Sequence, residues 1–268
     1  MRRIWKGLAV SFIGAGAGLM LYCGSFYLRS YQENQQMRNK YEDIRERCLD
    51  TGTDEIKETK ADEKEKTEPK VIEESFGISW KELRNINPEI RGWITVPGAN
   101  ISYPIVQGKD DEFYLTHSVE GTKSPFGSIF LGCGHNGDFC DTHSLVYGHN
   151  MEGHMMFANL NCYESREFFE ECPEFIITTP ERQLVYEIFS VEQAQEGSPA
   201  FGYGYETGSE EYEEQLEILR KNSMYETGIL PNGQQKMVTL VTCNSNLEEN
   251  VRMTVHGICK KILTETGR

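Results

Sequence analysis

Eight short runs rich in β-branched and aromatic residues follow one another through about 190 residues, each bounded by Gly, Pro, Asn or Asp. They fall near residues 92–96, 101–106, 127–131, 144–148, 174–178, 183–193, 236–242 and 251–262. Few helical patterns separate them. That spacing favours a mainly β domain, a closed or nearly closed eight-stranded barrel, over a parallel sheet that would need a helix between successive strands. One short helix is expected before the first run, and two helical interruptions among the rest. Ser79-Trp80-Lys81-Glu82 has the Ser-x-x-Glu form of a capping box and opens a short helix that stops before Asn87-Pro88. Residues 157–171 mix Leu160, Tyr163, Phe168 and Phe169 with charges. Residues 209–222 begin with a capping Ser209 and acids, end with Arg220 and Lys221, and place Tyr212, Leu216 and Leu219 on one face.

The chain has 268 residues, enough for one sizeable domain with appendages. Residues 7–28 contain no charge and, as a helix of 22 residues, would span about 33 Å. Arg2, Arg3 and Lys6 precede them, so residues 1–29 read as a cytoplasmic tip and an N-terminal transmembrane helix, with the remainder outside the plasma membrane. A cleaved signal peptide is the competing reading, given the small residues at 14–18. Residues 30–70 form a charged stem, the first part suited to a short helix over 31–49. Its second part, 50–70, carries eight acidic and five basic side chains with Ile56 as its one large aliphatic residue. Such composition buries too little apolar surface to offset ordering entropy and reads as a flexible spacer. The folded domain is expected over 71–268. A net charge of −15 argues against nucleic acid as a partner, because phosphate binding needs a clustered basic face.

The seventh run ends at Cys243, and the eighth brings Arg252 back nine positions later. A thiol and a fixed positive charge in that arrangement suit nucleophilic attack on a carbonyl, with the guanidinium steadying charge on its oxygen. His149, at the end of the fourth run, is a natural proton donor to a leaving amine and acceptor from an incoming one. Taken singly, each residue has a plainer reading: a small buried hydrophobe, a loop histidine, a surface ion-pair member. Tyr147, Thr242 and Asn244 are candidate substrate-binding residues by their nearness to these three.

Thr239-Leu240-Val241-Thr242-Cys243 resembles the Thr-Leu-x-Thr-Cys signature of sortases, with an arginine in the expected order after it. Tyr147-Gly148-His149-Asn150-Met151, followed by Met156-Phe157, is similar to class B sortases in particular. So are Gly92-Trp93-Ile94, Tyr103-Pro104-Ile105-Val106-Gln107-Gly108 and Gly127-Ser128-Ile129-Phe130-Leu131. The resemblance spans about 75–262. It implies a sortase-type barrel with short peripheral helices that performs transpeptidation: Cys243 cleaves a C-terminal sorting motif of a secreted protein through a thioacyl intermediate. The acyl group then passes to an amine of the peptidoglycan cross-bridge or to a pilin lysine. His149, Cys243 and Arg252 would be catalytic, with no cofactor and no metal. Ser245 stands where some class B enzymes carry an acid, which leaves Cys, His and Arg as the minimum set. Two rivals keep the barrel: a cysteine endopeptidase in which hydrolysis dominates, and a non-catalytic surface binding module.

The segment from Cys133 to His143 holds Cys133, His135, Cys140 and His143, side chains competent for zinc but not at a standard finger spacing. A free loop, a Cys133–Cys140 disulfide and zinc are the alternatives there. Cys162 and Cys172 are a second potential pair, and Cys259 leaves the domain with an odd count.

Overall fold

The structure, a computed structural model, describes residues 2–49, 74–151, 153–243 and 250–264, without the side chains of 2–15, 17, 74 and 243. Two compact units are present, Met1–Asp43 and Ile44–Arg268.

The first unit belongs to a single helix, α1 (Arg2–Cys48). Leu19, Met20, Leu21, Tyr22, Phe26, Tyr27 and Leu28 are all exposed on it. Among the described residues no helix is long and apolar enough to cross a membrane, and much of the span expected over 7–28 falls where side chains are not described. Residues 30–48, expected in the stem, are helical, whereas 50–73 lie outside the described residues.

The second unit starts earlier than the boundary at 71 read from the sequence. Ile44 and Cys48 are buried, Leu49 bridges to Ile78, and the Arg45 guanidinium donates to the Ser102 carbonyl at 3.2 Å. The polar composition around these residues conceals the two apolar side chains that fasten them to the barrel.

The barrel strands are β1 (Ile90–Val96), β2 (Ile101–Val106), β3 (Ile129–Leu131), β4 (His143–Gly148), β5 (Glu174–Thr178), β6 (Gln183–Gln195), β7 (Met237–Cys243) and β8 (Val251–Leu263). They close in the order β6-β8-β7-β4-β3-β2-β1-β5. The eight expected runs therefore correspond one to one with the eight strands, and closure leaves no barrel edge unpaired. Most neighbours are antiparallel; β2–β3 and β4–β7 are parallel. Ile94, Ile105, Leu131, Val146, Ile177, Ile188, Leu240 and Val255 are wholly buried. Full burial of each such side chain stabilises the fold by roughly 1.5–3 kcal/mol.

Helix α2 (Trp80–Ile86) opens with Ser79 accepting from the Glu82 amide. Residues 157–171 are not one helix: a 3-10 segment (Ala158–Glu164) stops at Ser165, whose hydroxyl caps α3 (Arg166–Glu171). Helix α4 (Glu210–Asn222) runs as expected, with the Ser209 hydroxyl accepting from the Tyr212 amide at 3.2 Å. Its Tyr212, Leu216 and Leu219 pack with Phe189, Met237 and Ile258, covering the outer face of β6, β8 and β7. Two-residue strand pairs, Glu74–Ser75 with Ile78–Ser79 and Asn150–Met151 with Met155–Met156, complete the described sheet structure.

Candidate active site

Strand register brings four chain segments to one rim of the barrel. β4 and β7 run in the same direction with Thr242 opposite Gly148, so their C-terminal ends emerge together. β8 returns antiparallel with Arg252 opposite Cys243. Directly opposed residues of antiparallel strands lie about 4.5–5.5 Å apart at Cα. β6 reaches the same rim, with Gln195 opposite Val251. His149 follows β4 by one residue and Glu196 follows β6 by one.

A groove of about 260 Å³ opens at this rim, lined by Tyr147, His149, Thr242 and Arg252 together with Asp111, Leu115, Phe130 and Glu196. Four of the six residues singled out from the sequence thus face one cavity. Cys243 enters only through its backbone register opposite Arg252, and Asn244 lies outside the described residues.

The His149 ring is held from behind. Its Nε2 donates to the Leu115 carbonyl at 2.7 Å. A carbonyl only accepts, so Nε2 carries a proton and Nδ1 is the nitrogen left to exchange one. The ring sits against Gly127, whose φ is +56°; a β-carbon there would come within 2.8 Å of His149 Cδ2 and 2.6 Å of the Tyr114 carbonyl oxygen. Both the left-handed backbone and the crowding require glycine at this position.

Arg252 is part-buried, with Nη2 3.8 Å from the Glu196 carboxylate and Nη1 donating to the Val251 carbonyl at 3.4 Å. Glu196 is 68% exposed, so the pair contributes about 0–1 kcal/mol. Asp111, across the groove, accepts from the Cys133 amide at 2.6 Å and ties that loop to the site. Tyr147 stacks on Phe130, ring centroids 5.2 Å apart, and burial pushes its phenol well above the usual range, with the Asp111 carboxylate adding to the effect. Tyr147 is therefore a neutral hydrogen-bonding wall. Thr242 is buried, and its hydroxyl has no hydrogen-bond partner among the described residues.

Sequence reading missed Asp111, Leu115, Phe130 and Glu196. Leu115 contributes a backbone carbonyl, which its side-chain type cannot advertise. Asp111 and Glu196 are two among 42 acids. The Cys133–His143 segment is a loop leading into β4; Cys133, Cys140, Cys162, Cys172 and Cys259 are free thiols, and the described residues contain no cluster of three metal-type ligands. Desolvation pushes the thiols of Cys133, Cys162, Cys172 and Cys259 upward, with the Asp111, Glu164 and Glu171 carboxylates adding to the effect at the first three, which favours their protonated form.

Comparison with known proteins gives a consistent result. A family model described as "Sortase domain" matches residues 94–259. Sortase B of Listeria monocytogenes is 32% identical over 181 residues, 66% of this chain and 72% of that protein. The X-ray structure of Clostridium perfringens sortase B is 35% identical with a TM-score of 0.63, covering 67% of this chain and 98% of that one. A Staphylococcus aureus sortase B–substrate complex shares the fold, with a TM-score of 0.63 at 23% identity over 69% of this chain and 85% of that one.

Proposed function

Because this chain belongs to the sortase family, in its class B branch, we propose that it joins secreted proteins carrying a C-terminal sorting motif to an amine of the cell wall or of a pilin lysine. Sortases are cysteine transpeptidases. The observation that carries the finer reading is the cross-strand pairing of Cys243 with Arg252 beside a groove that His149 also lines.

The chemistry follows from those groups. An ordinary cysteine has a pKa of about 8.5, so a minor thiolate fraction exists near neutral pH and is the attacking species. The Cys243 sulfur adds to the scissile carbonyl carbon, and the carbonyl electron pair moves onto oxygen. Arg252, always charged and presenting several N–H donors, neutralises that oxygen. Such donors commonly lower a barrier by roughly 3–4 kcal/mol. The tetrahedral adduct collapses as the C–N bond breaks, and His149, protonated, gives its Nδ1 proton to the departing amine. A thioacyl enzyme remains. The now neutral imidazole then takes a proton from the incoming amine as its nitrogen attacks the thioester carbonyl. A second tetrahedral adduct forms at Arg252 and expels the thiolate. Acyl energy is retained in the thioester between the two halves, which direct hydrolysis would lose. Tyr147, Thr242 and Asn244 are assigned to the walls that hold the motif.

We place residues 1–29 as a plasma-membrane anchor with a cytoplasmic N-terminus and an external catalytic domain. The uncharged stretch 7–28 and the basic residues before it support that placement. Incubating the full chain with sorting peptides, with and without an amine nucleophile, tests the function. A ligated product that depends on the amine is expected, and cleavage to free acid alone under both conditions refutes the transfer step.

A further inference from the structure

Below the groove, on the strands that carry it, runs a chain of buried polar side chains that the reaction above does not use. His143 in β4, Thr239 in β7, His256 in β8 and Glu192 in β6 are 0–6% exposed. Thr239 and His256 are directly opposed in the sheet, as are Glu192 and Thr254. Each lies four to six residues, about 13–20 Å, along its strand from Cys243, Arg252, Glu196 or His149. At its far end His143 Nδ1 bonds the carbonyl of Gly202, in the loop that runs from Glu196, a residue of the groove, to α4.

Donor and acceptor capacity fixes where the protons are. The Gly202 carbonyl can only accept, so His143 Nδ1 carries hydrogen. His143 is wholly buried, and desolvation, with His256 nearby, pushes it down to about 3, so the ring is neutral and its Nε2 is an acceptor. The Thr239 hydroxyl donates to that Nε2 at 2.7 Å. Having spent its hydrogen, Thr239 Oγ1 accepts from His256 Nδ1 at 2.8 Å. His256 Nε2 then faces Glu192 Oε1 at 3.3 Å, in ion-pair range but off hydrogen-bond geometry, and neither atom has another hydrogen-bond partner among the described residues. Two lone pairs facing each other in a buried site would be strongly unfavourable, so one proton must sit between imidazole and carboxyl.

We propose that Glu192, His256, Thr239 and His143 form a positioning unit that fastens the loop following Glu196 to the three strands bearing His149, Cys243 and Arg252. Thr239 is its junction, because its single hydroxyl bonds both the loop side (His143) and the strand side (His256 and Glu192). The unit touches neither substrate nor reacting atoms. Its role, resting on the transpeptidase reading above, is to keep the guanidinium and imidazole in register with the scissile carbonyl. Charge on that carbonyl oxygen appears only in the transition state, so loosening the unit lowers kcat and spares KM.

The test compares Thr239→Val, which keeps the shape and removes the hydroxyl, with Thr239→Ser, which keeps the hydroxyl. Full-length protein is used, and the active fraction is counted by titrating the thiol so that misfolded molecules do not enter kcat. Thr239→Val is expected to lose about tenfold or more in kcat with KM changed less than about twofold, while Thr239→Ser stays within about twofold of the parent. On the same protein, ¹⁵N-histidine spectra should show His143 as the neutral Nδ1–H tautomer in the parent. A fully titrating Thr239→Val with parental kcat overturns the proposal, as does His143 protonated on Nε2 instead. If the parent itself processes no sorting peptide, the transpeptidase reading is what fails, and the tautomer of His143 still decides the network.

Discussion

Gly127→Ala is the substitution whose consequence can be worked most closely from the geometry. The residue has φ +56°, where an L side chain costs about 1–2 kcal/mol. The new methyl would also stand 2.6 Å from the Tyr114 oxygen, 2.8 Å from the Leu115 oxygen and 2.8 Å from His149 Cδ2. The two oxygens are backbone and yield little, so overpacking adds about 1–3 kcal/mol. The sum, roughly 2–5 kcal/mol, should lower Tm by about 5–15 °C for a domain of this size. The softer neighbour is the imidazole, which also loses its anchor when the Leu115 carbonyl moves. A displacement near 1 Å at a proton-transfer group is commonly worth about 10²-fold in rate. Gly121→Ala is the control: φ is +73° but nothing lies within 4 Å, so it should carry only the backbone cost and leave turnover intact. Melting curves and kcat/KM for peptide cleavage are measured on both variants. Equal kcat/KM for the two would refute the assignment of Gly127 as the seat of His149.

Cys243→Ala should abolish both cleavage and thioacyl trapping, and His149→Ala should lower kcat by about 10²–10⁴, read by peptide cleavage under saturating substrate. Arg252→Lys keeps the charge but loses the planar set of donors, so kcat should still fall by about 10²–10³; a variant near parental turnover would remove Arg252 from the reaction. Glu196→Gln breaks an exposed pair and should change kcat/KM by less than about fivefold, which the same assay decides. His143, pushed down to about 3 by burial, returns to about 6.5 on unfolding. Between those values the unfolded chain binds the extra proton, so the His143 contribution is fully present above about pH 6.5 and is lost as pH falls toward 3, by about 1.4 kcal/mol per pH unit. Urea unfolding of parent and His143→Gln from pH 7 to 5 should show a shallower decline in the variant; identical slopes would count against a neutral buried His143.

The barrel was legible because its strands are short, apolar and punctuated, and because α4 announces itself with Ser209, Glu210 and Glu211 at one end and Arg220 and Lys221 at the other. Local signals decided those elements. The helical break at Ser165 was not legible, since the apolar residues of 157–171 run on through it while a hydroxyl starts a second helix. Ile44 and Cys48 were hidden for a different reason: they stand four apart on one helix face, but so few apolar side chains among charged ones read as a solvated stem, and only tertiary contact makes them part of the domain. Within the groove, His149 and Arg252 could be named beforehand because their chemistry lies in their side chains, and Tyr147 and Thr242 because they stand close to His149 and Cys243 in the sequence. The Leu115 carbonyl and the cradle at Gly127 are matters of backbone, visible only once the chain is folded. The interior pairing of Thr239 with two histidines required knowing that residues 143, 239 and 256 are sheet neighbours.

The shared direction of β4 and β7 divides labour within the molecule. Hydrogen-bonded ladders fix the spacing of the sulfur-bearing and guanidinium-bearing segments, and a slip of one residue would turn each side chain to the opposite face. The other walls of the groove come from connections outside that ladder, Asp111 and Leu115 between β2 and β3 and Glu196 after β6. Changes in those connections can therefore reshape the groove while the ladder keeps Arg252 opposite Cys243.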